Sequence, residues 1–443
     1  MRRREIIGAG AAALVSAMLP GAVRAATRRK PNIVLILADD LGWGDLGSYG
    51  ARLIRTPALD RMAREGIRLT DAYASANVCT PSRAGLLTGR YPIRTGLAYD
   101  VIRASDTIGL PPGEVTIAEM LKPDYATALI GKWHLGHVAP YWPPTVQGFD
   151  LFFGLPYSHD MTPLSLYEAH APGVELTRED VDFARLTERF FDRGFRFIET
   201  NRAKPFFLMM ALTAPHYPLV PNPDHAGHSP AAAYGQVVEE VDAGVGRLFA
   251  RLARLGIDRD TLVIVTSDNG PWFEGSSGPL RDRKGGGGWD GGFRVPFIAR
   301  QPGRIAPGRT SAALSMNIDL LPTLAAWTGR PLPAVELDGR DIGALLRSGG
   351  PSPHEDLLLF DNESVAAIRT AHWKYVRRSY YRTVDLPLSD HGYDLLFDLR
   401  VDPAETYNVS SLHADVMADM RARAARADAR FGAFARGPRK KVG

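Results

Sequence analysis

Four short apolar runs, each followed at once by a group of polar residues, constrain this chain more than any other feature. They cover residues 33–37, 126–130, 206–212 and 261–266. All four are continuous rather than alternating, the pattern of strands covered on both faces in a parallel sheet flanked by helices. Helical patterns lie between them. Thr56 stands where a helix cap belongs, with Pro57 at the first turn and Gly66 at the stop. Between the third and fourth runs, Val237, Val238, Val241, Val245, Leu248, Phe249 and Leu252 recur at spacings of three and four, one face of a long helix over residues 234–255. The main body therefore reads as α/β.

In an open parallel sheet, ligands gather beyond the carboxyl ends of the strands. The residues at those ends are Asp39 and Asp40, then Lys132 and His134, then His216, and last Asp268 and Asn269. The three carboxylates and the amide offer only oxygen donors, the ligand type of calcium or magnesium, and carboxylates held together repel without a cation. Zinc is disfavoured, since no histidine pair stands at metal-binding spacing and the chain has a single cysteine. Lys132 and His134 are two apart, so an extended segment would point both the same way. With His216 and Lys284 they form a set of donors suited to sulfate or phosphate.

The single cysteine opens the segment Cys79-Thr80-Pro81-Ser82-Arg83. Thr80 could cap a helix, Pro81 suits its first turn, and Gly89 suits its end. Cys79 would then lie at a helix N-terminus, with Arg83 one turn on. As a plain thiol it would be a nucleophile, a metal ligand or simply a small buried residue.

This segment, continued by Leu87-Thr88-Gly89-Arg90, resembles the signature of the type I sulfatases. The blocks Gly131 to Gly136 and Asp268-Asn269-Gly270 follow the same family's pattern, and Gly148-Phe149-Asp150 followed by Gly154-Leu155-Pro156-Tyr157-Ser158-His159-Asp160 looks most like its arylsulfatase A and N-acetylgalactosamine-6-sulfatase branch. The resemblance implies an alkaline-phosphatase-like fold. It also implies conversion of Cys79 to formylglycine by a formylglycine-generating enzyme, the hydrated aldehyde being the nucleophile. Asp39, Asp40, Asp268, Asn269 and the modified Cys79 would hold calcium or magnesium. Arg83 and Lys132 would orient the nucleophile, while Ser158, His216 and Lys284, with Lys132, would bind sulfate. His134 would be the base that helps break the sulfo-enzyme. One departure stands out: Gly285 to Gly288 put four glycines after Lys284 where the family has about three residues, a run expected to be flexible.

Residues 1–25 combine an arginine cluster, a short apolar stretch and a small residue at a cleavage position, which reads as a secretory signal, with Arg3-Arg4 fitting a twin-arginine pattern. Their removal lowers the formal charge from +4 to +1, so the basic balance is mostly address label and nucleic acid is not an expected partner. No later run is long enough to span a membrane. A periplasmic or secreted enzyme is expected, with a catalytic region over residues 26–350 and a smaller α+β piece over residues 351–443. In that piece strands are expected within 365–377 and 393–399, and a helix over 412–431. Three functions remain at this level. They are hydrolysis of a sulfated saccharide or aryl sulfate, hydrolysis of phosphate or phosphonate esters on the same scaffold, and non-catalytic binding of calcium or sulfated glycans. Specificity would be set by loops over residues 99–110, 157–170 and 380–390.

Overall fold

The computed structural model describes residues 29–171, 177–225, 229–381 and 384–437. The expected signal segment lies outside the described residues. Each of the four apolar runs forms a strand: Asn32–Ala38, Ala126–Lys132, Phe206–Ala211 and Thr261–Ser267, with every residue buried. A fifth, Leu151–Leu155, was not read from sequence. Its glycine and brief span hide the pattern.

These five make the parallel centre of a ten-stranded sheet, in the order Thr261–Ser267, Asn32–Ala38, Phe206–Ala211, Ala126–Lys132, Leu151–Leu155. Antiparallel strands extend both ends, Phe297–Arg300 beside Thr261–Ser267 and Leu166–His170 beside Leu151–Leu155. Alternation along Asn32–Ala38 divides the core in two. Ile33, Leu35 and Leu37 face one hydrophobic layer with Leu320, Leu321 and Leu324. Val34 and Ile36 face the other, with Phe190, Val241 and Val245. Both faces are thus covered, as the continuous runs require.

The expected long helix is Ala232–Arg254, and all seven of its named apolar residues are buried. The helix Pro57–Glu65 starts and stops as read, but Thr56 does not cap it. Its hydroxyl instead accepts from the Gly47 amide and donates to Asp60. The free amides of Ala58 and Leu59 go to the Asp242 carboxylate of the long helix, at 3.1 and 2.8 Å. That carboxylate satisfies the helix end and ties two elements together.

The C-terminal part holds an antiparallel sheet of Asp356–Asp361, Ser364–Thr370, Trp373–Val376 and Leu395–Asp398, followed by the helix Ala414–Phe431. Its apolar face shares a core with Tyr73, Trp289 and Phe293 from the larger sheet's side.

Candidate active site

The polar groups after the strands do converge. Asp39 N–H donates to Ala214 O and Asp268 N–H to Ala38 O, so the ladder carries on past the strands and brings three chain segments to one point. Cys79 is the first residue of the buried helix Cys79–Thr88, which stops at Gly89 with φ of 69°. Thr80 is not its cap; its hydroxyl donates to His134 O and accepts from Ile102 N. Asn317 anchors the same turn, donating to Ser82 Oγ at 2.8 Å and accepting from Ser75 N.

Cys79 Sγ lies 3.6 Å from Asp39 Oδ1. Lys132 Nζ is 2.6 Å from Asp39 Oδ2, and Lys284 Nζ is 2.8 Å from Asp40 Oδ2. Arg83 grips Asp268 through Nε at 2.9 Å and Nη2 at 2.8 Å, and donates to Lys132 O. His216 Nε2 stands 3.6 Å from Asp40 Oδ2, and Asn269 Nδ2 donates to Asp40 Oδ1 at 2.6 Å. Ligand atoms of Asp39, Asp40, Cys79 and His216 all lie within 4.8 Å of one another. Asp268 is drawn toward Arg83 and adjoins this group through Oδ1, which accepts from Asp40 N at 3.2 Å.

Charge in this buried place is strongly coupled. Burial alone would raise Asp39, but Lys132, His216, Arg83 and Lys284 together hold it well below the usual carboxylate range. Asp268 goes the other way, pushed up to about 6 by burial and by the Asp39 charge. Burial works against the Lys284 ammonium too, yet the carboxylates of Asp40 and Asp39 hold it well above its ordinary value. The Cys79 thiol is pushed up to about 12 by burial, which outweighs the pull of Lys132 and Lys284. As a thiol it stays protonated and is a poor nucleophile.

His134 departs from the extended geometry expected of it. The strand ends at Lys132, and His134 has φ of 64°, so the two side chains part. Lys132 goes to Asp39, while His134 Nε2 donates to Ile102 O at 2.9 Å. A carbonyl can only accept, so the ring proton sits on Nε2 and Nδ1 is left as an acceptor, buried and without a partner. Burial, then Lys132 and Arg83, push this histidine well below its ordinary range, so it is neutral. Gly131, one residue before Lys132, has φ of 118°, and a Cβ there would lie 1.9 Å from Ala211 O. Only glycine lets the strand turn Lys132 inward.

The glycine run is ordered rather than loose. Gly285 N–H donates to Asn77 O, Asn77 Nδ2 donates to Gly287 O, and Gly288 N–H donates to Arg378 O. These bonds set Lys284 against Asp40. Ser158 is buried with its hydroxyl outside any well-formed hydrogen bond. Its neighbour His159, unremarked from sequence as a functional residue, packs edge-on to His216 at 5.5 Å and hydrogen-bonds Pro218 O. It therefore braces the loop that carries His216. Only its place beside Ser158 could have drawn notice to it.

The oxygen donors suit a hard divalent cation. Besides the carboxylates, Asn269 Oδ1 is buried without a hydrogen-bond partner, and an orphan acceptor there fits a metal ligand. Taken together, an α/β sheet with acidic and cationic groups at its carboxyl edge makes a site suited to an anionic ester beside a cation.

Residues 31–330 match the family model described as Sulfatase, and residues 288–429 match that of N-sulphoglucosamine sulphohydrolase, C-terminal. The chain is 40% identical over 440 residues to arylsulfatase A of Homo sapiens, covering 89% of this chain and 86% of that one. It is 35% identical to steryl-sulfatase of Mus musculus, covering 90% and 82%. Among solved structures it resembles the PsFucS1 sulfatase from Pseudoalteromonas sp., with a TM-score of 0.83, 30% identity and coverage of 93% and 92%. The chain belongs to the sulfatase family, with the alkaline-phosphatase-like fold, and is a sulfuric ester hydrolase of the arylsulfatase type. Among the described residues, no helix is long and apolar enough to cross a membrane.

Proposed function

We propose that the chain hydrolyses sulfated saccharides or aryl sulfates through formylglycine made from Cys79, beside a calcium or magnesium ion. The observation that carries this reading is the setting of Cys79. Burial keeps it a neutral thiol, yet it stands at a helix N-terminus among Lys132, Lys284 and Arg83, 3.6 Å from Asp39. An inert thiol at the centre of an anion site makes chemical sense as the precursor of another group. Formylglycine supplies a hydrated aldehyde hydroxyl as nucleophile, and the divalent cation supplies charge stabilisation at the attacking oxygen.

The chain's own residues do the rest. Asp39, Asp40, Asp268 and Asn269 would hold the cation, with the group at position 79 completing the set. Arg83, fixed by Asp268, and Lys132 orient the nucleophile. Ser158, His216 and Lys284, with Lys132, bind the sulfate oxygens, and His216 or Lys284 gives a proton to the departing alcohol. His134 Nδ1, neutral and free to accept, takes the proton that lets sulfate leave.

The charged and apolar composition of residues 1–25 supports export to the periplasm or beyond the cell, with maturation by a formylglycine-generating enzyme. Mass spectrometry of the peptide carrying Cys79, from protein made in its native host, tests the proposal. The expected peptide carries an aldehyde in place of the thiol. An intact thiol in active protein would overturn it.

A further inference from the structure

A hollow of about 340 Å³ lies at the far edge of the main sheet, away from the catalytic crevice. Its walls include Arg64, Arg68 and Arg309, together with Ser48, Thr310 and Asp60. Three arginines and one carboxylate thus line it, and among the described residues no carboxylate forms an ion pair with any of the three arginines. Asp60 is already engaged, accepting from Ser48 N at 2.6 Å and from Thr56 Oγ1 at 3.2 Å. Arg64 follows it by four residues without pairing to it, although that spacing normally favours a pair. Arg68 is held in place over the Tyr49 ring at 5.4 Å and by Thr310 Oγ1 at 3.3 Å. Ser48 Oγ is buried with no hydrogen-bond partner. Unpaired arginines around an unsatisfied hydroxyl form a ready site for an oxyanion.

The distance to the crevice follows from strand register. Arg309 pairs with Ile67, Ile67 with Ala299, Ala299 with Ile264, and Ile264 with Leu35. Leu35 lies four residues before Asp39. Four strand spacings across and four residues along place the hollow on the order of 20 Å from Asp39. One monosaccharide cannot reach both places; a chain of several sugars can.

We infer that this hollow binds a second sulfate-bearing sugar of a polyanionic glycan whose other part occupies the catalytic crevice. The identity of the ligand rests on the sulfated-saccharide reading above, whereas the anion site itself does not. The test compares the wild type with the double variant R64E/R309E, both positions being exposed, and with R196E/R426E, which makes the same charge change at exposed arginines elsewhere. Binding of heparin is measured by titration calorimetry, and turnover of 4-nitrocatechol sulfate is measured in parallel. R64E/R309E should bind heparin about tenfold or more weakly, the loss of at least one charge-assisted contact. It should turn over the small sulfate as the wild type does. Heparin binding unchanged in R64E/R309E, or weakened equally in R196E/R426E, overturns the inference. So does equal affinity for desulfated heparin, or saturation of the hollow by inorganic sulfate at the same concentration as by heparin. Failure of all variants and the wild type to turn over the small sulfate counts against the catalytic reading instead, because direct binding needs no turnover.

Discussion

Replacing Lys374 with Met tests how the C-terminal sheet supports the site. Lys374 is fully buried, with Nζ 2.6 Å from Asp290 Oδ1 and 2.8 Å from Glu405 Oε1, and both carboxylates are buried as deeply. Glu405 also accepts from Asp290 N, at the start of the short helix that follows the glycine run. Removing one partner from a buried ion pair costs about 3–5 kcal/mol. The loss should depend on pH. Burial pushes the Glu405 carboxyl up to about 7 even against the pull of Lys374. Without that pull it rises further, so the native variant keeps a proton that the unfolded chain releases, and stability falls as pH rises. In the wild type this decline ends near pH 7; in the variant it continues above, by about 1.4 kcal/mol per pH unit. Urea denaturation at pH 6.5 and pH 8 measures both. K374M should be destabilised at each pH and more so at pH 8, and the double variant K374M/E405Q should recover the extra loss. A penalty below about 1 kcal/mol, or one equal at both pH values, refutes this account of the clasp.

Other consequences are as direct. Gly131→Ala should destabilise by about 3 kcal/mol or more, through a forced left-handed φ and the clash with Ala211 O, read as a lowered melting temperature. Asp242→Ala should cost about 1–3 kcal/mol, since it strips the acceptor from the amides of Ala58 and Leu59, measured by urea unfolding. Calcium at a hundredfold excess over its dissociation constant should stabilise the wild type by about 2.7 kcal/mol in thermal melts. D39N/D40N should lose that gain, and an equal gain in the variant would place the cation elsewhere. His159, which burial pushes down to about 4, is neutral when folded but binds a proton when unfolded below its ordinary 6.5. Stability should therefore rise with pH from 4 to 6.5, by about 3 kcal/mol from this residue, and H159Q should remove that component of the pH profile.

What could be read from the sequence follows from how local its cause is. The four apolar runs and the 3.6-residue period of Ala232–Arg254 record burial directly, so those elements and the edge where the site lies were legible. Caps were not, because Thr56 and Thr80 are used by tertiary partners that adjacent residues do not reveal. The orientation of His134 depends on a left-handed φ just after the strand, which spacing of two cannot show. Four glycines look loose in sequence; it is Asn77 and Arg378, more than 80 residues away on either side, that order them. The Asp290–Lys374–Glu405 clasp is equally non-local, and no pattern in the chain marks it.

The central claim is that a group made from Cys79 attacks sulfur in a sulfate ester. The most direct measurement is kcat/KM on 4-nitrophenyl sulfate and 4-nitrophenyl phosphate, for protein with converted Cys79 and for the C79A variant. The account predicts a clear preference for the sulfate ester and no turnover of it by C79A. A preference for the phosphate ester, or sulfate turnover that survives in C79A, contradicts it.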